Sequence, residues 1–514
     1  MLLPQNSIVL KRWGVILILL ITTIFLQEQV SICTDTARLI QLAQDLLHHE
    51  RYYKDFFDTN TPMALFLYFP VLLIAHLFSL KLITALLIYI YAAACFSLFL
   101  IQQLLQQSHS SNKLTTLLLI ASAISFLLLP ADAFSQREHF LILFAFPYLI
   151  EVGLLMNHSQ KFSKKITIPM GLLAGIAFAI KPHFLILFFL TEGLLWIKQK
   201  KCTACFRLEV LLILAVQIAY LYALFIFTPE YFFLILPVAL KIYPLITVSM
   251  GLNVLLTKII VVMSVLTLCL FMSSPSKADE IKTFRMLFAI NLVGCLFIVL
   301  LQGNSWYYHA FPAFALVFVL LCLLVDEQAR LLLRKNHHLR LKDFPQITRF
   351  CITCLLIIIA LTLALSRYED NYQNKKNTTP SAQQLIQFIQ INAPHQTAFF
   401  FGSMKYAYPM NIETSINAYA FHDYFLSHTQ RVILQQHHLE SAVLNFWINQ
   451  TTHLLQKKKP DLIFIVTTPA TVYGEKTSIP YIKIFSQSKA FKDLWSQYHY
   501  IKHFQDFDVY QYSL

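Results

Sequence analysis

The side chains able to do chemistry are gathered in a few short polar clusters of this 514-residue chain. The first reads Cys33-Thr34-Asp35-Thr36-Ala37-Arg38. Asp35 stands where a short polar residue caps a following helix. It also stands where a carboxylate takes a proton from an acceptor hydroxyl or amine, and both readings stay open. The second is Asp55-Phe56-Phe57-Asp58-Thr59-Asn60-Thr61-Pro62. Its two carboxylates share a face if the stretch is helical; in a loop they hold a metal or pin the fold. Two carboxylates alone assign no metal, and nothing in the sequence requires a divalent cation. The third is Asp132-Ala133-Phe134-Ser135-Gln136-Arg137-Glu138-His139, directly before an apolar run. Ionisable groups this dense are expensive at the edge of a membrane span and point to function. Arg137 offers a planar fork to phosphate oxygens, with Glu138 and His139 as supporting, acceptor or metal candidates. The plainer alternative is an Arg137–Glu138 pair that snorkels. Lys181-Pro182-His183 and Asn304-Ser305-Trp306-Tyr307-Tyr308-His309 complete the set. Trp306 and Tyr308 also suit an aromatic belt. Together Arg137, Lys181, His183 and His309 are cationic or proton-donating groups that fit a lipid-linked phosphate or pyrophosphate.

The elements that must position these residues are apolar. Hydrophobic residues make up 57% of the chain and charged residues 13%, against about 25% charged in soluble proteins. Mean hydropathy is +0.59. Such a chain is a multi-pass membrane protein, which disfavours a soluble enzyme, a DNA-binding protein or a secreted disulfide scaffold. Nine cysteines form no framework, and the pairs Cys202–Cys205 and Cys351–Cys354 lack a second ligand pair. There is neither a GxGxxG nor a Walker A loop to cradle a nucleotide. Apolar runs of spanning or near-spanning length fall at 13–26, 62–79, 82–105, 114–130, 139–156, 166–181, 183–197, 208–227, 251–272, 286–301, 306–325 and 350–366. Gly171-x-x-x-Gly175 lets two of these helices approach closely.

The net charge of +13 is mainly a label of sidedness, and only weakly one of nucleic acid. Lys11, Arg12, Lys113, Lys161, Lys164, Lys165, Lys198, Lys200, Lys201, Arg207, Lys277, Lys282 and Arg285 fall in alternate loops, with Arg330, Arg334, Lys335, Arg340, Lys342 and Arg349 in the loop 326–349. These are about 19 cations against roughly eight in the other short loops, which marks the richer set as cytoplasmic. The alternation requires that one early run not cross. Run 62–79, which begins at Pro62 and is broken by Pro70, is expected to be re-entrant or interfacial, leaving about eleven crossings. The alternative is that it spans and a later short run does not. The first run is expected to be a retained anchor, because no small-x-small cleavage site follows it. Residues 1–366 then form the membrane domain, with 27–61 as an outer-face loop. Residues 367–514 contain no membrane-length run and suffice for a small extracytoplasmic α/β domain. Gln384–Ile391 reads as helix, Ala398–Phe401 and Asp461–Val466 as buried strands, and Phe507–Tyr512 as an edge strand.

The order and common sidedness of the motifs resemble the GT-C superfamily of polyprenyl-phosphate-dependent glycosyltransferases. The nearest branch is the bacterial one related to protein O-mannosyltransferases and lipid A aminoarabinose transferases. The match runs from an early Asp35 through D-F-F-D-x-N-x-P, Q-R-E-H, K-P-H and W-Y-Y-H-x-x-P to an α/β tail. The resemblance implies a GT-C-like bundle in the cytoplasmic (inner) membrane with a cytoplasmic N-terminus and a periplasmic tail. It implies sugar transfer from a polyprenyl-phosphate donor to a lipid, glycan or protein acceptor at the outer face. Asp35 would be the catalytic base or acceptor-orienting group, although Thr36 stands where many relatives carry a second acid. Arg137 and Lys181 would surround the donor phosphate, with His309 and Tyr308 beside them. A transporter or flippase of lipid-linked sugars is the competing class; ionisable groups deep within several helices or an internal inverted repeat would favour it, and the sequence shows neither, its polar clusters sitting at helix ends on one face. An O-antigen polymerase or ligase would instead carry a large outer loop late in the membrane region.

Overall fold

The structure is a computed structural model that describes residues 5–157, 161–200, 206–240, 251–274, 279–303, 306–333, 344–402, 404–421, 440–468, 470–472, 475–477 and 479–513. Lys201, Cys202, Cys205, Lys277, Asn304, Ser305, Arg334, Lys335, Arg340 and Lys342 lie outside the described residues. The chain divides into two compact units. The first comprises Met1–Ser31, Ile88–Tyr222 and Ser249–Tyr372; the second comprises Ile32–Leu87, Ala223–Val248 and Gln373–Leu514.

The first unit is a helical bundle. Among the described residues of the whole chain, 7 helices are long and apolar enough to cross a membrane: Val9–Gln29, Leu82–Gln107, Arg137–Asn157, Leu208–Phe227, Glu280–Gln302, Tyr307–Leu333 and Phe344–Asn392. Others of the expected crossings form shorter helices, among them Asn112–Leu127, Lys164–Ala179 and Leu185–Gln199. Apart from Arg137, Glu138, His139 and Glu151, Arg137–Asn157 is apolar all round, the pattern of a helix enclosed by others, and its residues from Arg137 to Met156 are all buried. Pro147 removes the amide that would bond the Leu143 carbonyl, and the Ser97 hydroxyl donates to that carbonyl at 2.6 Å instead. The Gly171/Gly175 face of Lys164–Ala179 meets Leu208–Phe227, where a Cβ on Gly175 would stand 2.7 Å from Val216 Cβ.

Two expected loop cations, Arg12 and Arg285, prove to be internal; Arg12 is buried against Thr116 and Gln102. Arg285 is 1% exposed within the Asp279–Gln302 helix. Glu327 of Tyr307–Leu333 neutralises it, and its Nη2 donates to the Phe271 and Ser274 carbonyls at 3.1 and 2.8 Å. A guanidinium this enclosed is tolerable because every charge has a partner.

The second unit contains a five-stranded mixed sheet in the order β2-β1-β3-β7-β6. Its strands are β1 (Thr397–Phe401), β2 (Asn417–Phe421), β3 (Leu462–Val466), β6 (Tyr498–Phe504) and β7 (Phe507–Tyr512). A separate pair, β4 (Ala470–Val472) with β5 (Glu475–Thr477), is antiparallel. β1 runs parallel to β2 and β3, through crossovers that contain the Met404–Glu413 and Glu440–Lys458 helices. β3 is antiparallel to β7, and β7 to β6. Ala398, Phe400, Leu462, Phe464, Phe507 and Val509 fill one core with Leu385, Phe388 and Ile389. β7 is therefore interior rather than an edge. Tyr498–Phe504, whose mixed polar pattern hides it in the sequence, folds back through a tight hairpin and takes the edge. Gln384–Ile391 is helical, as the last turns of the long helix Phe344–Asn392.

Run 62–79 forms two short helices, Pro62–Phe66 and Phe69–Leu77, rather than one segment. Pro70 lies in the first turn of the second, where its missing N–H costs nothing.

Candidate functional site

In the first unit the polar residues are placed by a strained turn. The chain leaves Asn112–Leu127, passes a 3-10 turn at Ala131–Ala133 and enters Arg137–Asn157, with Ala131 at φ 45° and Ser135 at φ 65°. His139 ties this turn down. Its Nδ1 accepts from the Ser135 amide at 3.1 Å, and its Nε2 lies 2.8 Å from the Phe126 carbonyl. Those partners require the Nε2–H tautomer. With both nitrogens engaged and the ring fully buried, His139 has no lone pair left for a metal or an acceptor.

Glu138, next along, is 0% exposed. Its Oε1 accepts from Lys181 Nζ at 2.5 Å and lies 3.9 Å from His309 Nε2. Lys181 also donates to Gln302 Oε1 at 3.1 Å. Pro182 keeps the residue before it out of the helical region; Lys181 is accordingly extended, at φ −140° and ψ 136°, and breaks the chain between two helices. The Arg137 guanidinium lies 5.7 Å over the Tyr308 ring, and that ring meets His309 edge-on at 4.4 Å between centroids. Glu138 Oε2 is buried with no hydrogen-bond partner among the described residues, as is His183 Nε2 in the adjoining turn. The cluster of Arg137, Lys181 and Glu138 thus carries a net positive charge, which increases when His309 is protonated. It can hold an oxyanion, and Glu138 Oε2 can accept one ligand hydroxyl.

The second unit holds the other candidates. Asp35 lies in the first turn of Thr34–Leu47, whose N-cap is Cys33, so it is not the cap itself. The backbone is already helical at Thr34, and an acid in the first turn complements the helix dipole. Asp58 is 2% exposed. It pairs with Arg38 at 3.2 Å and accepts from the Asn60 amide and side chain at 2.6 and 2.7 Å. Asp55 caps the Arg51 amide at 2.8 Å and pairs with Lys457 at 2.9 Å. Both carboxylates therefore pin the loop. Among the described residues, no group of three or more His, Cys, Asp or Glu is placed to hold a metal.

Sequence reasoning missed several partners. Gln302 is an ordinary amide until the fold brings it to Lys181. Arg367 pairs with Asp132 and lies 5.6 Å over the Tyr307 ring, while Gln27 donates to the Tyr368 hydroxyl at 2.9 Å. A second polar cluster is buried within the helices. Tyr148 donates to Glu192, Arg207 holds Glu192 at 2.7 Å and pairs with Glu209, and Glu151 is 1% exposed. This corrects the expectation that polar clusters sit only at helix ends: the signal was three single acids, Glu151, Glu192 and Glu209, inside apolar runs. Arg207, expected in a loop, is half-buried against them.

No family model and no curated protein matches the chain. Its structure is similar to the crystal structure of ArnT from Cupriavidus metallidurans bound to undecaprenyl phosphate, with a TM-score of 0.55 and 10% identity over 99% of this chain and 98% of that one. The fold is ArnT-like, and the chain is a multi-pass membrane protein.

Proposed function

We propose, from an ArnT-like fold, that this protein transfers a sugar from a polyprenyl-phosphate donor to an acceptor at the outer face of the cytoplasmic membrane. The observation that carries this reading is the enclosed cationic cluster of Arg137 and Lys181, held by Glu138 in a bundle whose structural neighbour binds undecaprenyl phosphate. Lys181 and Arg137 neutralise the charge that develops on the leaving phosphate in a site shielded from water. His309 and Tyr308 border that phosphate. Asp35 is the general base for the acceptor. Glu138 orients Lys181. No metal is required by these roles.

Asp35→Asn tests the reading. Transfer from a lipid-linked sugar is expected to be lost while membrane insertion and thermal stability remain at wild-type level; retained transfer would refute the role of Asp35. A second reading draws on the buried cluster of Glu151, Glu192, Arg207 and Glu209, since ionisable groups inside spans mark transport pathways as well as catalytic sites. Glycan and lipid mass spectrometry of a deletion strain separates the two. A missing envelope sugar supports transfer. An accumulated inner-leaflet lipid-linked sugar supports a flippase.

A further inference from the structure

The second unit has a groove that the roles above do not use. Its volume is about 670 Å³, and it lies between the first loop and the Glu440–Lys458 helix, within the ~300–1,000 Å³ of small-molecule sites. Three kinds of lining meet there. One wall is aromatic: Tyr53 stacks on Phe446 at 5.1 Å and 29°, with Phe57 and the buried Trp447 packed behind Phe446. The rest of the lining is amide-rich, with Asn445, Asn449 and Gln450 on the same helix as Phe446. Arg51 and Lys54 add positive charge, Lys54 while paired with Glu230 at 3.6 Å, whereas Asp55 is already engaged by Lys457 and the Arg51 amide.

The backbone of Tyr53 adds a separate observation. It sits at φ 66°, a conformation that costs an ordinary side chain about 1–2 kcal/mol and that glycine adopts freely. An aromatic residue held there keeps its ring on Phe446 at the expense of backbone strain, a pattern found at ligand-binding positions.

We propose that this groove binds an anionic saccharide. Aromatic faces stack on the C–H face of a sugar ring, amides pair with adjacent hydroxyls, and the exposed Arg51 receives a phosphate or carboxylate on the same molecule. If the protein is the transferase proposed above, the groove recognises the glycan of the acceptor. That role rests on the transferase reading; the binding itself does not.

The test uses full-length protein in nanodiscs and a phosphate-bearing oligosaccharide, with the uncharged oligosaccharide and inorganic phosphate as comparison probes. Saturable binding of the charged oligosaccharide is expected, at least tenfold tighter than either comparison probe. Tyr53→Gly relieves the backbone, which offsets the lost ring contact, and is expected to fold with stability close to wild type, yet to weaken binding at least tenfold. Arg51→Glu, at an exposed position, is expected to weaken the charged probe tenfold and leave the uncharged one unchanged. Binding that is undiminished in Tyr53→Gly, or as tight for inorganic phosphate alone, overturns the proposal. Transfer assays with a lipid-anchored acceptor and with a soluble oligosaccharide acceptor identify the source: Tyr53→Gly should raise KM for one of them. If wild type binds the oligosaccharide but transfers to neither, the transferase reading fails and the groove stands. If transfer is intact and no oligosaccharide binds, the groove fails and the transferase reading stands.

Discussion

Replacing Lys181 by Met and Glu138 by Gln, singly and together, probes how the cationic cluster is held. The two partners are unequally enclosed: the Lys181 side chain is 14% exposed and Glu138 is 0% exposed. Their contact is 2.5 Å, and Lys181 has a second acceptor in Gln302 at 3.1 Å. Lys181→Met leaves an enclosed carboxylate without its hydrogen-bonded cation, beside Arg137 and with His309 at 3.9 Å. Removing one partner of a buried pair costs about 3–5 kcal/mol, and this variant belongs in that range. Glu138→Gln leaves the ammonium on Gln302 and near solvent, so its cost should be about 1–2 kcal/mol, that of a lost charge-assisted hydrogen bond. The double variant carries no orphaned charge and should recover about 2 kcal/mol or more of the sum of the singles. Thermal unfolding in one detergent, followed by tryptophan fluorescence, measures all four proteins. Undecaprenyl phosphate should raise the melting temperature of wild type and of Glu138→Gln, and not that of Lys181→Met. Equal costs for the two single variants, or strict additivity in the double, would refute the pairing on which the site is built.

Three other outcomes follow from the same structure. Burial, partly offset by Lys458 at 3.9 Å and reinforced by Glu50, pushes the Asp45 carboxyl up to about 7. A carboxyl raised in the folded state stabilises below its ordinary value, and that contribution is lost as pH rises through 7. At about 1.4 kcal/mol per pH unit, the full effect is at most about 4 kcal/mol. The melting temperature of wild type should therefore fall from pH 5 to pH 8 relative to that of Asp45→Asn; parallel pH profiles would refute this. Glu327→Gln should destabilise by about 3 kcal/mol, because Arg285 then keeps carbonyl partners and the Phe271 ring but no opposing charge; a paired Arg285→Met/Glu327→Leu variant should melt above it. Gly175→Leu should destabilise by about 1–3 kcal/mol through overpacking on Val216, read as a lower melting temperature with fold and insertion retained.

The sequence by itself determined the elements. A membrane helix is declared by a local run of apolar residues, and the observed helices follow the expected runs to within a few residues in most cases. The order of polar clusters along the chain was likewise enough to point to an ArnT-like fold. What those clusters do to one another depended on tertiary structure. Glu138 reads as one polar residue among several, yet the fold encloses it completely and makes it the anchor for Lys181, 43 residues away. Gln302 joins the same ammonium across 121 residues, and Arg367 reaches Asp132 across 235. His139, a candidate ligand by type, is used up by two backbone groups. Arg285 reads as a loop charge until Glu327 meets it inside the bundle. β6 escapes periodicity because a bulge between Tyr500 and Lys502 breaks its alternation and leaves residues of both parities exposed, and its presence alone turns β7 into an interior strand. Hydrophobic patterning acts over a few residues, so it can be read along the chain. Charge pairing, desolvation and strand order act between residues far apart in sequence, so they exist only once the chain has folded.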